Sequence, residues 1–440
     1  MKKNIFCSSP WLHLKITLRG WYVPCRWMTL RNVNLIHSID KMTLQEYFNS
    51  DQMRQLRLDL LNDKKSVACE SCYYEDSFNK MSGRKIQLSK SNIADDTFCS
   101  DVVNSPHREM FEYSAANSGE TNLHPVDLQV NLSDVCNGAC IMCSPQLSTR
   151  LMQDYKKLPD TTPIIYSLTT TTTPWVNNPI LLNQFIKDLH DLPNIEYLHL
   201  LGGETLYLES FYKICNALAD SGRSKSISIG TTTNLTVDPN SLEPFIANFK
   251  NFHIGLSIES ANTLNDYIRY PATIDTVKSN FLKFIELRKR LPNLHLSLRI
   301  TPNIFSIFCL DEIIQLMCDN DIIAESCDIL SSPPFLRMEL LPDDLRQIAI
   351  NKLRAVIEKN NLINEPVVVS QTRNQAHSRP FIADAAHSYL NFLTNMVPPD
   401  DVEKSRSDLI AFIKGFESIR QNSILDHLPE YKNFLNRYGY

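Results

Sequence analysis

The chain has 440 residues, 43% of them hydrophobic, a net charge of −5 and a pI near 6.1. That length calls for two or three domains, and a mildly acidic chain with no basic footprint argues against nucleic acid as a partner. No stretch approaches the roughly 18 apolar residues of a membrane helix, and no apolar run of signal-peptide length follows Met1-Lys2-Lys3, so the expected setting is the cytoplasm. Twelve cysteines in a reducing compartment point to metal or redox chemistry before disulfides.

In chain order, residues 1–115 read as a compact cysteine-bearing segment of short strands and a helix. From Pro125 to Leu132 the apolar side chains alternate as Val126, Leu128, Val130 and Leu132, a strand pattern that runs into Cys136, Cys140 and Cys143. Gln146 to Leu158 is helical. Residues 159–179, with threonine at every position from Thr169 to Thr173, read as an irregular, solvated connector. A regular alternation follows. Helices are expected at 180–192, 208–220, 240–248, 274–290 and 310–320. The strands between them are 195–201, ending in Gly202-Gly203-Glu204; 226–230, ending in Thr231-Thr232-Thr233-Asn234; 252–258, ending at Glu259; 294–300; and 322–330.

Six strands separated by helices predict an α/β fold with a parallel sheet, wound by right-handed crossovers into a barrel or open sheet. Such folds gather their site at the C-terminal ends of the strands. Residues 336–440 read as helical: Leu345, Ile348, Ala349, Leu353, Val356 and Ile357 share one face of a helix over 343–360, and further helices are expected near 381–396 and 400–421.

The chemistry sits at the strand ends. Cys136, Cys140 and Cys143 have C-x3-C-x2-C spacing. Thiolates this close can meet on one iron–sulfur cluster, and three ligands leave one iron open; zinc binding or unligated core cysteines are the alternatives. Gly202 and Gly203 would let backbone approach a ligand closely, or form a plain βα turn. Ser257 and Glu259 share a strand face. Arg269 and Arg299 carry forks that could grip a carboxylate, or serve as structural arginines. Near the N-terminus Cys7, Gly20 and Cys25 have C-x12-G-x4-C spacing, and Cys69-Glu70-Ser71-Cys72 is a C-x2-C pair. Four such thiolates can ligate one [4Fe–4S] cluster or one zinc ion. Cys99, Cys215, Cys309, Cys318 and Cys327 lack ligand spacing and read as small buried hydrophobes. His199, His253 and His295 read as hydrogen-bonded strand residues.

Taken together and in this order, the motifs over residues 120–335 resemble the radical S-adenosylmethionine (radical SAM) superfamily. The resemblance implies a partial (β/α)6 TIM-like barrel over 120–335, followed by a helical region over 336–440. It implies a [4Fe–4S] cluster on Cys136, Cys140 and Cys143, whose open iron holds the amino acid end of SAM. Met142 stands where an aromatic residue is common and would pack near adenine. Gly202, Gly203 and Glu204 match the motif that receives the SAM ammonium, with Thr205 in place of a common proline. Asn234 matches a residue beside the ribose, although Leu235 replaces that motif's glycine. Ser257 and Glu259 match a strand end that meets the ammonium and ribose hydroxyls, with Glu for the usual Asp. Arg269 or Arg299 would pair with the SAM carboxylate.

The order of Cys7, Cys25, Cys69 and Cys72 resembles the first half of the SPASM auxiliary-cluster domain, whose truncated form is called twitch. It implies an auxiliary [4Fe–4S] domain over 1–115, ahead of the barrel where the family usually has it behind. The implied activity is reductive cleavage of SAM to a 5′-deoxyadenosyl radical that takes a hydrogen from a peptide, protein or small polar substrate, giving oxidation, cross-linking or epimerisation. A reductant such as flavodoxin or ferredoxin is the implied partner. By resemblance to the superfamily's peptide epimerases, Cys327, near the last strand's end, could return a hydrogen atom to a substrate radical; core packing is the favoured reading. The alternatives are an iron–sulfur electron carrier or binding protein without SAM chemistry, and a zinc-stabilised scaffold.

Overall fold

Among the described residues, alternating apolar and polar residues along short segments produce one mixed sheet of nine strands. They are β1 (His13–Ile16), β2 (Trp21–Val23), β3 (His37–Ser38), β4 (Asp127–Asn131), β5 (Tyr197–Leu201), β6 (Ser228–Thr233), β7 (Asn251–Ser257), β8 (Leu294–Arg299) and β9 (Ile323–Ala324). The structure is a computed structural model that describes residues 5–28, 36–77, 82–91, 93, 107–168, 173–324, 329–363 and 378–440. Cys99, Cys327, positions 325–328 of the expected last strand and threonines 169–172 lie outside the described residues.

The strand order is β3-β2-β1-β4-β5-β6-β7-β8-β9, and the pairs from β4 to β9 are all parallel. Sequential order with helices between is the expected six-stranded α/β half. Among the described residues β9 is not paired with β3, so the sheet is open rather than closed. The helix expected at 274–290 spans Ile274–Arg290, capped by Thr273, whose hydroxyl accepts from the Thr276 N–H. The strand expected at 226–230 instead runs on to Thr233, because β-branched threonines favour extended backbone.

Two further expectations change. The N-terminal segment is largely helical, with helices Leu44–Phe48, Asp51–Leu61, Glu70–Ser77, Gly83–Lys90 and Arg108–Ala116. Local caps explain this: Thr43 and Glu46 form a capping box, and Ser50 and Ser82 each cap a helix through a side-chain oxygen. The connector after the cysteine loop is not simply solvated. Trp175 is buried, donates Nε1–H to the Asn131 carbonyl at 3.1 Å and packs on Phe185, while Thr162 is buried against Gly415.

The N-terminal segment joins the sheet. β1 lies parallel to β4, pairing His13 with Asp127 and Ile16 with Val130. A separate apolar core forms around Phe6, Trp11, Leu56, Leu60 and Phe111, yet Leu14, Ile16, Tyr22, Leu44 and Tyr47 belong to the main core. Arg57, wholly buried, ties the segment together by donating to the carbonyls of Pro10, Phe48 and Gly119.

The pairing register aligns side chains in rows. Leu14, Leu128, Leu198, Ile229, Phe252 and Leu294 are mutual partners and all buried. One residue further along, on the opposite face, Lys15, Gln129, His199, Gly230, His253 and His295 form a second row. One face is therefore apolar core and the other a polar floor. The rings of His253 and His295 stack at 4.7 Å, and Tyr197 lies 5.9 Å from His253.

Burial, helped by repulsion from His295, pulls the His253 imidazole down to about 4 from its ordinary 6.5. Between those values the unfolded chain binds a proton that the folded chain refuses. Stability from this group is therefore complete above about pH 6.5 and drains away as pH falls towards 4. At pH 5 the loss amounts to about 2 kcal/mol. Thermal melts at pH 7 and pH 5 should show a larger drop for the wild type than for His253→Phe; equal drops would contradict the linkage.

Candidate metal centre

The loop that carries Cys136, Cys140 and Cys143 begins where β4 ends and has almost no regular structure of its own. Its backbone groups therefore find partners on neighbouring strand ends. Leu132 N–H donates to Leu201 O at 2.7 Å, Gly203 N–H to Ser133 O at 2.7 Å and Glu204 N–H to Val135 O at 3.0 Å. On the far side Ala139 N–H donates to Tyr270 O at 2.6 Å and Ile141 N–H to Ile268 O at 2.9 Å. Inside the loop Cys143 N–H meets Cys140 O at 3.0 Å, and Ser148 Oγ–H meets Gly138 O at 2.6 Å.

Two of the sulfurs stand close to Gly138. A methyl group placed on Gly138 would lie 3.6 Å from Cys136 Sγ and 3.7 Å from Cys140 Sγ. Gly138 N–H also donates to Cys136 Sγ at 3.4 Å. Burial and then the neighbouring Cys140 push the Cys136 thiol up to about 12. The same two causes push Cys143 to about 12, and burial raises Cys140 against the pull of Arg269. Holding a metal as thiolates requires such raised thiols to give up their protons on loading. The donor set suits a multi-iron cluster, in which each thiolate meets a different iron.

The strand-end residues expected from sequence gather around this loop, though with different partners than the bare motifs suggest. Gly203 presses on the loop itself: a Cβ there would meet the Val135 carbonyl and sit 2.7 Å from Cys136 Cβ. Glu204 is 1% exposed. Its Oε2 accepts from Asn234 N–H at 2.6 Å and its Oε1 from Leu206 N–H at 3.2 Å. Burial raises its carboxyl to about 7 despite these bonds. Asn234 Nδ2–H in turn donates to Asn137 Oδ1 at 2.8 Å, linking the β6 end to the cysteine loop. Leu235 adopts φ +64°, the left-handed conformation that a glycine reaches without cost, and its side chain is fully buried.

Ser257, at the end of β7, is buried and pairs in register with Arg299 of β8, which is half-buried. Glu259 is fully buried and lies 2.6 Å from Arg269 Nη2. Its oxygens also accept from Thr301 N–H, at 3.0 Å for Oε2. Burial works to lower the Arg269 guanidinium, but Glu259 and then Cys140 outweigh it and its pKa is raised. Arg269 Nη1–H points at Cys140 Sγ, 3.8 Å away. Met142 is half-buried against the main core.

The second set of thiols also comes together. Cys7, Cys25, Cys69 and Cys72 line one apolar pocket with Trp27, Met28 and Tyr73. Burial raises all four thiols, Cys25 to about 11 and Cys69 to about 12, with Cys25 repelling Cys69 and Cys72 repelling Cys25. Arg84 braces the pocket by donating Nε–H to Asp76 at 2.7 Å and Nη1–H to Phe6 O at 3.2 Å.

Sequence reasoning missed Asn137, Ser148, Asp154 and Arg420. Arg420 ends the helix Val402–Arg420 and donates to Ala139 O at 2.7 Å and to Asp154 Oδ2 at 2.8 Å. No local pattern could have flagged it, since its partners lie more than 260 residues away.

Residues 130–301 match the model of the Radical SAM superfamily, and residues 7–73 match that of an iron–sulfur cluster-binding domain, SPASM. Among solved structures, Streptococcus suis SuiB bound to precursor peptide SuiA is 16% identical, with a TM-score of 0.35 over 69% of this chain and 62% of that one. SuiB bound to S-adenosylmethionine is 15% identical, with a TM-score of 0.35 over 79% of this chain and 68% of that one. The chain thus spans less than two thirds of the first of these structures. Among curated proteins none matches.

The two adjacent glycines make a discriminating pair. A Cβ on Gly202 would meet chiefly the end of the Leu208 side chain, with the Ser133 carbonyl 3.3 Å away, whereas one on Gly203 runs into the Val135 backbone and Cys136 Cβ. Gly203→Ala should cost about 2 kcal/mol of stability by overpacking, and Gly202→Ala clearly less. Chemical denaturation of the metal-free variants checks the order, and the reverse ranking would refute the packing account.

Proposed function

This chain belongs to the radical SAM superfamily, with an iron–sulfur cluster-binding segment ahead of its parallel strands, and on that footing we propose that it modifies a peptide or protein by abstracting a hydrogen atom at the mouth of the Cys136–Cys143 loop. When bound, the reduced cluster supplies the one electron that cleaves SAM to methionine and a 5′-deoxyadenosyl radical, which takes the substrate hydrogen.

In this reading Cys136, Cys140 and Cys143 are the three thiolate donors, and Cys7, Cys25, Cys69 and Cys72 hold the auxiliary cluster. Gly138 N–H on Cys136 Sγ and Arg269 Nη1–H near Cys140 Sγ moderate the sulfur charge. Met142, Gly202, Gly203, Asn234, Ser257 and Arg299 meet SAM. Glu204 and Glu259 act chiefly through their neighbours: Glu204 fixes the Asn234 backbone, and Glu259 holds Arg269. Flavodoxin or ferredoxin chemistry provides the reductant.

The observation that carries this reading is the seating of three thiols of one loop against the ends of β5 and β6 and the turn at Ile268–Tyr270. A peptide or protein substrate is favoured by what surrounds that loop. The loops after β4 and β5 expose the apolar side chains of Leu147, Ile165 and Tyr207, at 48%, 46% and 61%, which a peptide or protein could cover. The opposite face of the sheet carries the polar row Gln129, His199, His253 and His295.

Replacing Cys136, Cys140 and Cys143 by alanine should abolish 5′-deoxyadenosine formation and remove about four irons per chain from reconstituted protein. Nucleoside formation at the wild-type rate would sink the proposal.

A further inference from the structure

The C-terminal helical region takes no part in the function proposed above, yet it sends one charged side chain onto the metal loop. Arg420 is 5% exposed at its side chain. Its Nη2–H groups reach Ala139 O at 2.7 Å and Asp154 Oδ2 at 2.8 Å, and Nε–H reaches the same carboxylate oxygen at 3.1 Å. The guanidinium lies over the rings of Tyr270 at 4.7 Å and Phe416 at 4.4 Å. The remaining nitrogen, Nη1, is buried without a hydrogen-bond partner.

Each contact bears on the loop. Ala139 is the residue before Cys140, and its N–H is held by Tyr270 O. One peptide neighbour of Cys140 is thus gripped on its N–H side by the chain at Tyr270 and on its carbonyl side by Arg420. Tyr270 is also the ring under the guanidinium. Asp154 belongs to the helix Thr149–Tyr155 that follows the loop. Arg420 therefore bridges the loop, the helix after it and the Arg269–Tyr270 segment. A planar fork can do this and a lysine cannot.

We propose that Arg420 is a positioning residue that locks the Cys136–Cys143 loop in the shape that receives and retains its cluster, so that the C-terminal helix is part of the metal centre. This rests on the radical SAM reading for what the loop holds, but the lock itself concerns the loop alone. The helix has its own anchorage: Phe412 packs on Phe335 at 4.9 Å, Phe416 on Tyr155 at 5.4 Å, and Gly415 receives Thr162. Changing Arg420 should leave the helix in place.

Wild type, Arg420→Met and Arg420→Lys are reconstituted as full-length protein and reduced. The electron paramagnetic resonance signal that changes on SAM addition is then followed against an iron chelator. In both variants that signal should decay roughly tenfold faster than in wild type, while the signal indifferent to SAM, from the Cys7–Cys72 site, decays at the wild-type rate. Decay of the SAM-responsive signal at the wild-type rate in Arg420→Met overturns the proposal, as does rescue by lysine, which would reduce the role to charge. Hydrogen exchange of the metal-free protein tests the lock separately. Amides of the 136–143 loop should exchange faster in Arg420→Met while those of 402–420 do not, and unchanged loop exchange overturns the proposal too. A wild type with no SAM-responsive signal would instead overturn the reading of function and leave the exchange result to judge the lock.

Discussion

A loop without regular structure must borrow its shape, and here the borrowing is from three strand ends and a turn. The segment from Leu132 to Cys143 spends its backbone groups on Leu201, Gly203 and Glu204 on one side and on Ile268 and Tyr270 on the other. Side chains complete the cradle, with Asn234 reaching Asn137 and Ser148 reaching Gly138. Backbone hydrogen bonds across a buried boundary are strict about distance. The relative placement of β4, β5, β6 and the 268–270 turn thus fixes where the sulfurs stand.

The buried charges follow from the same constraint. Glu204 and Glu259 are almost wholly out of water, which a carboxylate tolerates only with partners. Each finds backbone N–H groups at the next strand end, and Glu259 also finds Arg269. These carboxylates act as cross-links between neighbouring strand ends. Arg269 extends one such link to the sulfur of Cys140. In the function proposed, stability and chemistry share these side chains, so a change at either acid would be felt in both.

Much of this was legible in the sequence, and what was not has identifiable causes. Period-2 alternation gave the strands because one face of the sheet is apolar, as the row Leu14, Leu128, Leu198, Ile229, Phe252 and Leu294 demonstrates. Cysteine spacing and strand-end glycines located the loop because both depend on short-range chain geometry. The pairing of β1 with β4 was hidden, since no local pattern reports a partner over a hundred residues away. The partners of Glu204 were equally hidden, because a motif names a residue but not which way its carboxylate is spent. Leu235 is the reverse case. Its departure from glycine looked like a weakened motif, yet the backbone keeps the glycine-like conformation and uses the side chain as core.

The parallel pairing of β1 with β4 carries a consequence for how the two cysteine sets belong together. β1 is an interior strand, flanked by β2 and β4, so it cannot be detached as a separable module. Removing the first hundred or so residues would strip the neighbour from β4 and leave a row of bare peptide groups beside the cysteine loop. Such an uncovered margin invites pairing with other chains and aggregation. Transplanting either half onto an unrelated protein faces the same obstacle, and a chain that lost its first strands would lose solubility before its chemistry could be measured.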